Sequence, residues 1–107
     1  MSDPLPIARR VRISEDAAPD IKSIGDYIAE DSPSRAQAFL AELERRIQSL
    51  ATFAERFPHV AESRVYRETV RCLLHGPYRV LYPVRGDFVY ILRVRHGARR
   101  TQRRADD

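Results

Sequence analysis

The sequence has little of several residue types, and each shortage excludes a class of protein. Cys72 is the only cysteine, so no disulfide can form within the chain and a reducing compartment is expected. No segment approaches the ~20 consecutive apolar residues of a transmembrane helix, and the first residues lack the apolar stretch of a secretory signal. The sequence has no glycine-rich phosphate loop, and His59, His75 and His96 lack the spacing of metal ligands. We therefore expect a cytoplasmic protein with no metal, no cofactor and no membrane partner.

Lysine is almost absent, although the chain is basic. Lys22 is the single lysine among 19 basic residues, and all the others are arginines. The net charge of +4 points weakly to an anionic partner, and arginine suits bidentate contact with phosphate or carboxylate. A GC-rich genome also favours arginine codons. The positions of the arginines are therefore more informative than their number.

The first half of the chain predicts one strand and two helices. Residues 7–13 alternate apolar and polar side chains, as a half-buried strand does. Ser14 is a candidate N-cap for a first helix, although Pro19 favours a regular helix that begins near Pro19 itself. Ser32-Pro33 predicts the start of a second helix, whose apolar stripe ends at Phe57-Pro58. Because a couple of residues separate the two helices, they should form an antiparallel hairpin.

The second half of the chain predicts a three-stranded antiparallel meander after an irregular connection over residues 58–69. The strands are expected at residues 70–75, 78–84 and 88–95, with turns at His75-Gly76-Pro77 and Arg85-Gly86-Asp87. Three-residue turns would place an uncharged set of side chains on the face that the helices cover. That set is Val70, Cys72, Leu74, Tyr78, Val80, Tyr82, Val84, Phe88, Tyr90, Leu92 and Val94.

The opposite face of this sheet is predicted to bind a partner. A two-helix layer covers one side of the sheet and leaves the second side open. Arginines and apolar residues share that second side, and a contiguous apolar patch usually marks an interface. The predicted surface consists of Arg71, Leu73, Arg79, Leu81, Val89, Ile91, Arg93 and Arg95. The alternative is a solvated outer face with no partner.

Three stretches of the sequence resemble the RelE/ParE toxin superfamily, and the ParE branch most. They are the entry to the first helix over residues 11–28, the turn and strand Gly76–Tyr82, and the ending Ile91–Arg99 with its His-Gly-Ala-Arg. The resemblance spans residues 8–99 and implies an α+β fold. That fold has an N-terminal strand, a two-helix antiparallel hairpin and a three-stranded antiparallel meander, with the helices packed on one sheet face. Residues 1–107 would form one domain, with a flexible basic tail at about 100–107.

The resemblance implies the toxin of a type II toxin–antitoxin system, neutralised by direct binding of a ParD-like antitoxin in a hetero-oligomer. We expect the antitoxin to lie across the second face of the sheet described above, and the grooves beside the helix hairpin are a competing site. ParE-like members act on DNA gyrase without enzymatic chemistry, and this is the target we expect. RelE-like members cut mRNA on the ribosome instead, and the residues for that chemistry would be Arg71, Arg79, His96 and Arg99. The acid and base are poorly provided, because neither Tyr nor His follows Arg99. A third hypothesis is that the chain is a degenerate member that only binds its antitoxin or operator DNA.

The basic end of the chain is the predicted target-binding segment. Residues 95–104 are rich in arginine and have no apolar periodicity. Such a segment can contact gyrase, the DNA that gyrase holds or, in the alternative, ribosomal RNA. The target-binding residues are predicted to be Arg95, His96, Arg99 and Arg100.

Overall fold

The strand, the helix hairpin and the meander follow one another in the predicted order. The structure is a computed structural model that describes residues 8–97. Its elements are β1 (Arg10–Ile13), α1 (Ala17–Ala29), α2 (Pro33–Phe53), α3 (Glu62–Tyr66), β2 (Arg71–His75), β3 (Tyr78–Tyr82), β4 (Val84–Arg85), β5 (Phe88–Ile91) and β6 (Arg93–His96). The α+β fold class is therefore confirmed. Ile7, Arg99, Arg100 and the basic tail lie outside the described residues.

Serine side chains cap both long helices. The Ser14 hydroxyl accepts the N–H of Ala17 at 3.0 Å, and α1 already begins at Ala17 rather than near Pro19. Pro19 is tolerated because the first-turn N–H groups of a helix have no acceptor within it. The Ser32 hydroxyl accepts the N–H of Arg35 at 3.2 Å, and Pro33 is the first residue of α2 as predicted.

The two long helices pack closely on each other and on the sheet. A Cβ at Gly25 of α1 would lie 2.7 Å from a methyl group of Leu40 in α2, so any larger residue would require the Leu40 side chain to move. Leu43, Ile47 and Leu50 bury the apolar stripe of α2 against the sheet. The Tyr82 hydroxyl donates to the carbonyl of Ala54 at 2.7 Å, and burial raises its pKa to about 12. This bond fixes the sheet to the end of α2.

The meander is present, but two of its three strands are interrupted. β3 pairs antiparallel with both β2 and β6, while β4 pairs antiparallel with β5. The breaks fall at Pro83, which lacks an N–H, and at Leu92, where the last strand carries one extra residue. β1 joins the other side of β5 as a parallel neighbour, with Val11 opposite Val89.

Both turns of the meander are one residue shorter than expected, and the predicted register is wrong for that reason. His75 pairs with Tyr78 across Gly76-Pro77, and Arg85 pairs with Phe88 across Gly86-Asp87. Both glycines have a φ of 58°, and glycine at the first central position suits a two-residue hairpin turn. A slip of one residue exchanges the two faces of a strand. Cys72, Leu74, Phe88, Tyr90 and Leu92 therefore do not lie under the helices, whereas Leu73, Val89 and Ile91 do.

The second face of the sheet is not open along its length. Residues 58–69, predicted to be irregular, contain α3, and Val60 of this connection packs against the sheet. A small second core forms there from Val60, Val70, Cys72, Leu81 and Leu92. We call residues 60–68 the strap.

Candidate functional site

The four apolar residues of the predicted antitoxin surface are buried, and that part of the prediction is wrong. Leu73, Val89 and Ile91 are 0% exposed in the main core, and Leu81 is 1% exposed in the second core. The strap covers Leu81, and the shorter turns bring the other three under the helices. None of the four offers surface to a partner in this structure.

Three arginines of the same predicted surface are bound within the chain. Arg71 donates to the backbone carbonyls of Glu55 and Phe57 at 3.1 and 2.7 Å. Arg79 forms a bidentate pair with Glu62 of the strap at 2.7 and 3.2 Å, and its side chain is only 11% exposed. Arg79 thus holds the strap on the sheet through Glu62 and is not an open anion-binding site.

The third arginine, Arg93, belongs to a junction between α1 and β6. The Asp20 carboxylate accepts hydrogen bonds from two guanidinium nitrogens of Arg93, at 2.7 and 3.0 Å, and from the backbone N–H of Val94 at 2.9 Å. The Asp20 carboxylate therefore closes the edge of β6. Its hydrogen bond raises the pKa of Arg93.

Arg79 and Arg95 lie directly opposite each other on β3 and β6. Like charges in this position repel unless a counter-charge lies nearby. Glu62 provides that counter-charge through its pair with Arg79. The structure thus brings two of the predicted site arginines together, on the face that the strap partly covers.

His96 packs against an aromatic chain at one end of the core. Its ring meets Tyr78 edge-on at 5.3 Å between centroids, and Phe39 links Tyr78 to His75 at 5.6 and 5.0 Å. His75, which is 9% exposed, has its pKa lowered by burial and by the charge of Arg46. The imidazole of His96 is therefore half-buried against Tyr78 at the end of the last strand.

A cavity of about 330 Å³ opens beside the outer edge of β2. Its walls are mainly apolar, and it is lined by Arg46, Phe57, Pro58, Val60, Cys72, Leu74 and Arg79. Burial raises the pKa of the Cys72 thiol, although the nearby Arg79 charge opposes this shift. Arg46, Phe57 and Glu62 were not predicted as site residues, because nothing in the local sequence pattern links them to β2.

A second bidentate pair fastens the other end of the strap. Arg85 of β4 donates to Glu68 at 3.1 and 2.5 Å. Ser63 adds two hydrogen bonds, one to the carbonyl and one from the N–H of Val70, at 3.2 and 2.8 Å. Polar contacts therefore hold most of the strap, and α3 itself has no buried residue.

Within residues 8–97, no three His, Cys, Asp or Glu side chains gather as metal ligands do. In the same range, none of the helices combines the length and the apolar character that crossing a bilayer requires.

Residues 11–101 match the family described as the ParE toxin of the type II toxin–antitoxin system parDE. The chain belongs to the ParE toxin family. It is 37% identical over 84 residues to Toxin RelE2 of Caulobacter vibrioides, a match covering 78% of this chain and 89% of that protein. It also resembles the structure of a chromosomal ParDE TA system from P. aeruginosa, with a TM-score of 0.67 and 23% identity. That likeness covers 83% of this chain and 96% of the other, and it shows the fold.

Membership of the ParE toxin family makes the chain the toxin component of a type II toxin–antitoxin system. The family description implies an antitoxin as partner. The predicted resemblance to the RelE/ParE superfamily is therefore confirmed.

Proposed function

We propose that this toxin inhibits DNA gyrase without enzymatic chemistry and that a cognate antitoxin neutralises it by direct binding. One observation carries the choice of target. The described side chains that a ribosome-dependent nuclease would need are engaged in contacts of the toxin's own fold. Arg79 is paired with Glu62, Arg71 with two backbone carbonyls, and His96 packs on Tyr78.

These contacts matter because RNA cleavage by this chemistry needs three components. A base must take the proton of the ribose 2′-hydroxyl, an acid must protonate the leaving group, and cations must stabilise the phosphate. A bidentate carboxylate neutralises Arg79 where a phosphate would have to bind. Gyrase inhibition by binding needs neither the acid nor the base.

The proposed target-binding segment begins at the end of β6. Arg95 and His96 stand on an ordered strand, and Arg99 and Arg100 follow them in the sequence. A cationic segment anchored at a strand end suits an anionic surface of gyrase or of the DNA that it holds.

The second candidate function is ribosome-dependent mRNA cleavage. It is favoured by the cross-strand neighbours Arg79 and Arg95, which would form a two-arginine phosphate site if Glu62 moved away. A member that only binds its antitoxin is the third candidate.

The test is a supercoiling assay with purified gyrase, run beside a cell-free translation assay with mRNA cleavage mapped. Full-length toxin is expected to reduce supercoiling and leave the mRNA intact, and the Arg95→Ala variant to inhibit gyrase less. Cleaved mRNA with normal supercoiling would establish the second candidate. No effect in either assay, for a folded chain that binds its antitoxin, would establish the third.

A further inference from the structure

We infer that the outer edge of β2 binds an extended segment of the antitoxin, which adds a strand at Leu74 and places an apolar side chain in the adjoining cavity. This inference rests on the proposed antitoxin partnership and names the site within it. The site consists of the β2 edge at Leu74, the cavity and Arg46, and we call it the β2-edge site.

The backbone of β2 has hydrogen-bonding groups that point away from the sheet. His75 and Tyr78 flank a two-residue turn, so residues 71, 73 and 75 direct their N–H and C=O groups to β3. The outward groups nearer the start of the strand already have partners, because the N–H of Val60 donates to the carbonyl of Val70 at 2.9 Å and the N–H of Cys72 donates to the carbonyl of Pro58 at 3.1 Å. By the alternation of a strand, the N–H and C=O of Leu74 also point outwards. No group within residues 8–97 binds them.

The side chains around this edge favour an apolar contact. Leu74 is 61% exposed, which is unusual for a large apolar side chain on an edge strand. It borders the cavity of about 330 Å³, whose walls include Phe57, Pro58 and Val60. A volume of this size holds one or two side chains, and the exposed backbone of Leu74 would position the segment that carries them.

The charge at the cavity selects the class of partner. Arg46 lines it, and no carboxylate of the described residues forms an ion pair with Arg46. Arg79 is the second cation there, already paired with Glu62. The occupant should therefore have an acidic residue near its apolar anchor. A second copy of this basic chain would place more positive charge at the site.

The other edge of the sheet is less suited to strand addition. β1 also has outward N–H groups. The N–H groups of Arg10 and Ser14 donate towards β5, and because the N–H groups of a strand alternate in direction, that of Val11 points away from β5. Exposed Arg10 and Arg12 flank that position, and Arg12 lies over the Phe88 ring at 4.6 Å. Charged side chains of this kind discourage pairing at an edge. The two edges thus provide a matched pair of test sites.

The experiment uses full-length toxin and the polypeptide encoded by the gene adjacent to the toxin gene, with affinity measured by titration calorimetry. Leu74→Pro removes the outward N–H and leaves the β2–β3 hydrogen bonds intact, and we expect it to weaken binding about 10-fold or more. Val11→Pro makes the same change at the β1 edge and should alter affinity by less than about twofold.

Two charge-reversal variants, one at the cavity and one distant from it, test the role of charge. Arg46→Glu should weaken binding about 10-fold, less so at high salt, because it reverses the charge at the cavity. Arg35→Glu reverses an exposed charge 11 positions earlier on the same helix, roughly 16 Å away, and should have little effect. If Leu74→Pro fails to fold, Leu74→Lys tests the edge instead, since the exposed side chain can carry a charge there.

The outcomes separate this inference from the proposed partnership. If wild-type toxin forms the complex and the folded Leu74 and Arg46 variants bind as tightly, the β2-edge site is wrong while the partnership holds. If wild-type toxin forms no complex, the partnership fails and the inference with it. If toxin alone dimerises in sedimentation and Leu74→Pro abolishes the dimer, the occupant is a second copy and the inference is overturned.

Discussion

At the scale of single residues, the arginines of this toxin serve the fold as much as any partner. Two of them, Arg79 and Arg85, reach back 17 positions to Glu62 and Glu68 and hold the strap on the sheet. The Arg79 pair is the better protected, with side-chain exposures of 11% and 18% against 44% and 29% for Arg85 and Glu68. Loss of the Glu62 carboxylate should therefore disturb the strap more than loss of the Glu68 carboxylate.

Glu62→Gln is expected to make the Cys72 thiol more reactive. Burial raises the Cys72 pKa, Arg79 lowers it and Glu62 raises it further. Without the Glu62 charge, Arg79 acts unopposed, so the pKa of Cys72 falls and the thiolate fraction near pH 8 rises. The rate of alkylation by iodoacetamide measures this change in a chain with one cysteine. Glu68→Gln is the control, and equal rates in the two variants would contradict the prediction.

His75 should make the toxin less stable in mild acid. Burial and then Arg46 lower its folded-state pKa below the unfolded value near 6.5, so the unfolded chain binds the proton more readily. The free energy of unfolding therefore decreases as the pH falls from about 6.5 through the folded-state pKa, and this contribution is constant above pH 7. Urea titrations of His75→Phe should show a weaker decrease than wild type. The exposed His59→Phe variant should follow wild type, and a His75→Phe curve parallel to wild type would refute the assignment.

At the scale of elements, Asp20 connects the first helix to the last strand. Asp20→Asn replaces a carboxylate that accepts three hydrogen bonds, and it should lower the free energy of unfolding by about 1.5–3 kcal/mol. Asp26→Asn is the matched control on the same helix. Its exposed pair with Lys22 should contribute less than about 0.5 kcal/mol. Urea denaturation measures both variants. If they lose similar amounts of unfolding free energy, the hydrogen bonds of Asp20 to β6 do not add to stability.

The helices could be predicted closely because their signals are local. The Ser32-Pro33 cap and the stripe through Leu43, Ile47 and Leu50 depend only on spacing along the chain. The faces of the strands could not be predicted, because they depend on whether each turn has two or three residues. Both faces of β2 and of β5 carry apolar residues, so both registers place acceptable side chains inside. The extra residue near Leu92 also restores Val94 to the core, as predicted, after the preceding strand has changed face.

At the scale of the whole molecule, the binding face was predicted wrongly because the sequence did not indicate that the strap covers part of it. Its fastenings join residues that are far apart in sequence, and α3 contributes no apolar stripe of its own. The strap covers Leu81, while Leu74 and the adjoining cavity stay exposed. The last strand, which runs to His96, could be predicted because the family resemblance includes it.

The last prediction separates the folded body of the toxin from its basic end. β6 runs to His96, and the N–H of Gly97 donates to the carbonyl of Pro77 at 2.9 Å. A chain ending at Gly97 therefore keeps every described strand, whereas a chain ending at Val94 loses the pairing of Arg95 and His96 with β3. We expect the chain ending at Gly97 to fold and bind antitoxin but to inhibit growth at least about 10-fold less, since it lacks the arginines that we propose to contact an anionic target.

A chain ending at Arg100 should lose only part of its activity, because it keeps Arg99 and Arg100. Growth after induction measures toxicity, and gyrase supercoiling measures the effect on the proposed target. Circular dichroism and antitoxin binding confirm that each truncated chain is folded, so a loss of activity can be attributed to the missing arginines. Full growth arrest by a folded chain that ends at Gly97 would place the target-binding surface on the body of the toxin, with Arg95 and His96 as its remaining predicted contacts.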